Sequence, residues 1–404
     1  MWAHGKPSVR VLLLGLAISE LCPSQTVLNT SRFHILGSDL AIFESEEKRT
    51  DLQCEVAAVS PQLDFDLRAH IGYNALIPMR DLIGPPQRLR IMARITPDSR
   101  PGESFFLVDR IQVPSIAEDT GGAAEVSGEF LAGPGHYHVD WLMRDGREHV
   151  CSTHWEFTVK PNEKGVLPGI APETIAEAPK DPFAEQSPPK QLTAGQPLHI
   201  QFLVNFSTTN DSDSAMKPRD VAALVAMLRG VAQLPRVGRF SITAFNMSEE
   251  KVIYREDNVT KIDFPALGKA VRGIHTGTVG YRQLADPDSK TRFLASLLTE
   301  HVGLKGAGPR SSDPDAIILV GPKVMLDRKL DKEAIEENAQ TRVPVFYLNY
   351  NPDPTGNPWK GAIDSVLKAY RGLAYTITAP RDFGSALADM TARLKPGTAS
   401  AAIR

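Results

Sequence analysis

The spacing of hydrophobic and polar positions changes character twice along the chain, near residues 160 and 198. Between residues 52 and 160 the apolar residues come in short runs separated by Gly, Pro and Asp: LQCEV, LDFDLRAHIGY, QRLRIMARI, FFLVDRIQV, AEVSGEF, HYHVDWLMR and HVCSTHWEFTV. Several alternate at period two, the pattern of strands with one buried face. In HYHVDW this places Tyr137, Val139 and Trp141 on a core face and His136, His138 and Asp140 on the opposite, solvent-facing side. About seven such runs predict a β-sandwich over residues 25–160.

From residue 198 the period changes. LHIQFLVN is almost continuously apolar, as a strand covered on both faces must be. Val221, Leu224, Val225, Leu228 and Val231 then form one helical stripe behind Pro218. RFSITAFN is the next strand, and KVIY follows so closely that it predicts an antiparallel edge hairpin. Further helix and strand patterns alternate through AIILV, LDKEAIEENAQ, VPVFYLNY, AYTITA and a last helix marked by Phe383, Leu387, Met390 and Leu394. This predicts a doubly wound, mostly parallel α/β unit over residues 198–396, followed by a tail at 397–404. The intervening 161–197 is dense in proline. It predicts a solvated linker, with an irregular segment packed on one domain as the alternative.

The chain has 404 residues, room for two or three domains. A formal net charge of -3 excludes a generic nucleic-acid binder, which needs a basic surface. Lys6 and Arg10 precede the apolar run VRVLLLGLAIS, and small residues follow, so residues 1–24 read as a secretory signal peptide. A membrane anchor and a lipoprotein linkage through Cys22 are the alternatives. The run is too short to span a bilayer, and no later segment reaches 18 apolar residues. The expected location is therefore periplasmic or extracellular. Removal of the leader leaves Cys54 and Cys151, predicted to form one disulfide, with two buried free thiols as the alternative. Closing a loop of roughly 100 residues is worth up to ~4 kcal/mol on the chain-entropy model.

Candidate chemistry is sparse. His136 and His138 share a strand face and invite a metal with His149 or His154, but no third ligand has diagnostic spacing. The chain has no G-x-S-x-G, Walker A, H-E-x-x-H or G-x-G-x-x-G pattern, so no catalytic residue and no cofactor are predicted. N-x-S/T triplets at Asn29, Asn205, Asn210, Asn246 and Asn258 matter only in a eukaryotic secretory pathway.

GPGHYHV resembles the tyrosine-bearing corner of immunoglobulin-like domains, with Val139 where those domains carry a cysteine. The second half resembles the von Willebrand factor A-type domain over about 195 residues. The resemblance rests on a first strand ending in polar residues, the RFSITAFN hairpin, the helix-strand alternation and the closing AYTITAPRDFGSALADMTARL. Signal peptide, β domain and A-type domain in that order look like exported bacterial proteins of this kind, numerous in acidobacteria. The resemblance implies a divalent cation held by D-x-S-x-S, a Thr from a later loop and an Asp after the fourth strand. Here Asn205 replaces the first Asp, Ser207 and Thr209 take the hydroxyl positions, Thr276 or Thr278 supplies the Thr, and Gly321-Pro322 replaces the second Asp. Mg²⁺ prefers one or two carboxylates, and neutral ligands alone must compete with water. The expectation is a degenerate site that keeps the frame without the metal. Its polar strand end then makes turn and helix-cap hydrogen bonds.

The resulting expectation is a non-enzymatic interaction or adhesion module. It contacts a protein partner through Asn205, Ser207, Thr209, Asp211, Asp213, Tyr281, Pro322 and Lys323 at the strand ends. Two rivals stand beside it: a cation-dependent adhesin in which Asp211 or Asp213 substitutes as ligand, and a hydrolase of envelope polymers.

Overall fold

The period-two runs of the first half build two antiparallel sheets. In a computed structural model of the chain, the described residues are 26–28, 35–161, 170–185, 197–208, 216–234, 236–274, 286, 289–302, 314–324, 343–356, 359, 361, 363–364, 367 and 370–394. The expected leader and C-terminal tail lie outside them. The first half comprises β1 (Thr26–Leu28), α1 (Gly37–Ser45), β2 (Glu55–Leu63), β3 (Ala69–Pro78), α2 (Met79–Leu82), β4 (Gln87–Pro97), β5 (Phe105–Val113), β6 (Ala123–Ala132), β7 (Gly135–Arg144), β8 (Val150–Val159) and β9 (Ile175–Glu177). One sheet has the order β1-β5-β4-β7-β8 and the other β2-β3-β6-β9. Ile71, Tyr73, Ile91, Val139 and Trp141 close the core between them. Cys54, just before β2, is bonded to Cys151 on β8 with a Cα separation of 6.1 Å, so the expected disulfide ties one sheet to the other.

Two expectations need correction here. Asp140 does not face water, being 3 % exposed. The outer face of the five-stranded sheet is covered by α1, whose Phe43 packs on Met92, Phe106 and Leu142. Beneath it, Arg94 pairs with Asp140 at 2.8 Å and donates to the Phe43 carbonyl at 2.9 Å. The Pro-rich 161–197 is not solvated throughout, which favours the packed alternative for its described part. Ile175–Glu177 contains no proline and adds to β6 as an antiparallel strand. Further on, Phe183 is 4 % exposed within the core of the second half. The prolines there keep their carbonyls as acceptors. Arg229 donates to Pro182 O at 2.9 Å and also to Ala184 O.

The second half comprises β10 (Leu198–Asn205), α3 (Pro218–Ala232), β11 (Val237–Asn246), β12 (Lys251–Val259), α4 (Phe264–Arg272), α5 (Ser289–Val302), β13 (Ala316–Pro322), β14 (Val345–Tyr350), β15 (Leu373–Ile377) and α6 (Pro380–Arg393). Its sheet runs β12-β11-β10-β13-β14-β15. β12 alone is antiparallel, as the short hairpin requires. Every residue of β10, β13 and β14 is buried, which explains their unbroken apolar runs. Leu224, Leu228, Phe264, Leu267, Phe383 and Leu387 cover one face, while Leu294, Leu297, Leu298, Ile363 and Leu367 cover the other. The helix expected within residues 330–340 lies outside the described residues. Among the described residues, no helix is long and apolar enough to cross a membrane.

The two halves interlock. LDFDLRAHIGY, which reads as one strand, is broken by a turn at Asp64–Arg68 whose apolar residues enter the second half. Leu67 is 7 % exposed within the α3/α6-side core, and Phe65 meets the Tyr350 ring edge-on at 5.6 Å. Leu67 adopts φ 58°, a left-handed conformation disfavoured for a leucine, so the turn is held by its surroundings. Asp66 accepts from Arg68 N at 3.0 Å and contacts His70 Nε2 at 3.1 Å, while His70 Nδ1 lies 2.6 Å from Glu129. Burial opposes a charge on His70, but the two carboxylates outweigh it and raise its pKa to about 10.

Candidate functional site

Parallel strands of an open α/β sheet present their carboxyl ends to one rim, where ligands generally bind. Here β10 and β11 each end in asparagine, and β14 carries one near its end and another just beyond. Asn205 is 1 % exposed, and its Oδ1 accepts the Ser207 hydroxyl at 2.6 Å. Ser207 Oγ in turn accepts the Met247 backbone N–H at 2.6 Å. Asn246 donates to Phe206 O at 3.1 Å and accepts from Glu249 N at 3.0 Å. The polar atoms at the strand ends are thus spent largely on one another and on the neighbouring backbone. The exceptions are Asn205 Nδ2 and, beyond β14, Asn351 Oδ1, which have no partner among the described residues.

This network bears on cation binding. Both available oxygens, Asn205 Oδ1 and Ser207 Oγ, are neutral and engaged, and no described carboxylate hydrogen-bonds to either. Gly321 excludes a replacement from the next strand. Its φ is 152°, and a Cβ there would lie 2.7 Å from Asn205 Cβ. An aspartate at 321 could enter only by displacing β10 or β13. Among the described residues, no group of three or more His, Cys, Asp or Glu could hold a metal ion. Thr209, Asp211, Asp213, Thr276, Thr278 and Tyr281 lie outside the described residues.

Of the expected partner-contact residues, Asn205, Ser207 and Pro322 are buried and shape the rim from beneath. Pro322 O accepts the Tyr347 hydroxyl at 3.0 Å. Burial holds that phenol far above its usual pKa, so it remains a donor. Lys323 is half-buried, donates to Trp359 O at 2.8 Å and lies 5.5 Å from that indole ring centre. Tyr350 donates to Asp220 at the start of α3 at 2.8 Å, and this residue also receives Phe65 of the first half.

Among the described residues, the histidines of the sandwich form no group that could hold a metal. His136 pairs with Thr158 at 2.8 Å, His138 contacts Asp140 at 3.1 Å, and His149 is tied to Asp145 at 2.9 Å. His154 stacks on His138 with ring centres 6.0 Å apart. Sequence reasoning missed Asn246, Asn349 and Asn351, although LVN, AFN and LNYN repeat asparagine at the ends of apolar strands. It also missed the Asp66–His70–Glu129 cluster, whose members lie on different elements.

No family model matches this chain, and no curated protein matches it. Solved structures share only weak likeness. A structural-genomics target is 12 % identical with a TM-score of 0.18, covering 30 % of this chain and 94 % of its own. A Bacteroides uniformis β-glucuronidase is 9 % identical with a TM-score of 0.19, covering 84 % of this chain and 31 % of its own. A Listeria innocua β-glucosidase in complex with gluconolactone is 14 % identical with a TM-score of 0.17, covering 27 % and 16 %. The chain spans less than a third of either glycosidase, and likeness at these scores carries no argument about fold or activity.

Proposed function

We propose that this is an exported, non-enzymatic protein-interaction module: an immunoglobulin-like sandwich carrying an A-type-like α/β unit whose metal site is degenerate. The observation that carries this reading is the closed Asn205–Ser207–Met247 network packed against Gly321. The strand order, with its antiparallel edge hairpin at β12, supports the A-type comparison. The Tyr137 hydroxyl donating to Gly133 O at 2.8 Å, four residues upstream, supports the immunoglobulin-like corner. The partner contacts the loops around Lys323 and the connections following β10 and β11, without a bridging cation.

The test has two readouts. Photo-crosslinking from position 323 in the full chain, with envelope and secreted fractions, should capture a protein partner equally well with 5 mM Mg²⁺ or EDTA. Capture that requires the cation would favour the adhesin reading, in which Asp211 or Asp213 serves as ligand. Turnover of an envelope polymer by the purified chain would favour the hydrolase.

A further inference from the structure

The outer face of the four-stranded sheet is hollowed around one glycine. Ile71 and Tyr73 of β3 point into the sandwich core, so Gly72 between them faces outward. His70 and Asn74 flank it along β3, each two residues away on the same face. Across the ladder its neighbours are Val59 on β2 and Glu129 on β6, while Gln62 stands opposite His70 and Ser127 opposite Asn74. A Cβ at Gly72 would lie 3.5 Å from Val59 Cβ and 3.3 Å from Gly128 O, so a larger residue would fill the floor. The bare glycine leaves a cleft of ≈ 520 Å³ over β2 and β3, with Ser127 and Glu129 of β6 and residues 178–180 on its far side.

The lining is polar, and its charges are already matched. Glu129 lies 2.6 Å from His70 Nδ1, while His70 Nε2 contacts Asp66 at 3.1 Å. Asp109 of β5 pairs with Lys180 at 4.0 Å. The Tyr73 ring takes the place of a side chain at Gly128, so no room remains there. Among the described residues, no side-chain hydrogen bond occupies the Gln62 or Asn74 amide or the Ser127 hydroxyl, all three of which line the cleft.

We propose that this glycine-floored cleft binds a neutral carbohydrate, about one or two pyranose rings in size. A charged ligand would have to compete with an ion pair that the cleft has already formed, whereas a neutral one leaves both pairs intact. Each amide offers a donor beside an acceptor. That combination matches two adjacent sugar hydroxyls, which both donate and accept. Val59, Ala178 and Pro179, with the bare Gly72, supply apolar surface for the C–H face of the ring. Gln62, His70, Asn74 and Glu129 stand around a central floor, a shape that suits a compact ring better than an extended chain. Tyr73, the aromatic member of the lining, is 3 % exposed and offers no face for stacking. Affinity therefore rests on hydrogen bonds, and a Kd of about 1 mM is expected. The site belongs to the sandwich and stands apart from the protein contacts at the α/β rim.

The test titrates the full chain with maltose, cellobiose, lactose and N,N′-diacetylchitobiose by calorimetry. Saturable binding of at least one is expected, with an affinity that does not change between low and high salt. Asn74→Ala and Gln62→Ala should each weaken it about fivefold and leave the melting temperature unchanged. Gly72→Val, which fills the floor, should abolish it, and the two alanine variants decide the matter if the valine variant misfolds. The proposal is overturned if none of the four sugars saturates by about 10 mM, or if both alanine variants bind as tightly as the wild type. Tighter binding of the neutral peptide acetyl-Gly-Ser-Gly-amide than of any sugar would also overturn it, as would an affinity lost in high salt, the mark of a charged ligand.

Discussion

One polar cluster is buried at the rim of the α/β sheet and another is partly buried at the turn between the halves, and they satisfy their polar groups differently. At the rim of the α/β sheet, Asn205, Ser207 and Asn246 are neutral and satisfy one another. At the base of the inserted turn, Asp66, His70 and Glu129 are charged and neutralise one another. A neutral network is indifferent to pH and salt, whereas a charged one stabilises only where all its members are ionised. The α/β rim is therefore a fixed frame, and the turn joining the halves is the titratable element.

The sharpest way to break this contrast is to remove the turn's anchor. Leu67→Asn keeps the left-handed backbone, which asparagine tolerates, but loses the buried side chain. It should cost about 2–4 kcal/mol and separate one unfolding transition into two by calorimetry. A single, unshifted transition would show that the halves are joined elsewhere, with Phe183 the next candidate.

The titration comes second. The folded-state pKa of His70 is raised to about 10, above its unfolded value near 6.5. Its contribution is therefore complete below pH ~6.5 and is lost as pH rises toward 10. For Asp66, burial works to raise the pKa, but the hydrogen bond and charge of His70 outweigh it and leave it lowered. Its contribution is present above pH ~4 and is lost on acidification. Wild-type stability should thus fall by on the order of 1–3 kcal/mol between pH 6.5 and 10. His70→Gln should be less stable at pH 6 and largely flat over the same range. A parallel decline in the variant would remove His70 from the explanation.

Ser207→Ala tests the neutral side. It leaves Met247 N–H and Asn205 Oδ1 without their shared partner and should cost about 1–2 kcal/mol, equally at pH 6 and pH 9. A pH-dependent loss would reveal a charged group in the rim. The smallest expected effect is that of cations. A site filled at 100 times its dissociation constant would add ~2.7 kcal/mol, whereas 5 mM Mg²⁺ or Mn²⁺ should leave the melting temperature unchanged. A rise of several degrees that disappears in Asp211→Asn would restore the metal site with a substitute ligand.

Local periodicity was enough to determine much of this protein. Alternation marks Tyr137, Val139 and Trp141 as core, continuous apolar runs mark β10, β13 and β14 as covered on both faces, and close spacing makes β12 an antiparallel edge. That Asn205 and Gly321-Pro322 bring no carboxylate to the ends of β10 and β13 was equally legible, because a residue's charge is a property of its identity. Tertiary structure alone decided which surface buries each apolar residue. Phe65 and Leu67 alternate like a strand yet turn into the other half, Asp140 alternates outward yet lies beneath α1, and Phe183 sits in a proline-rich segment yet anchors a core. Periodicity reports that a side chain leaves water, whereas its partner is set by contacts between residues far apart in the chain. The same holds for His70, whose charge depends on carboxylates brought to it from the inserted turn and from β6.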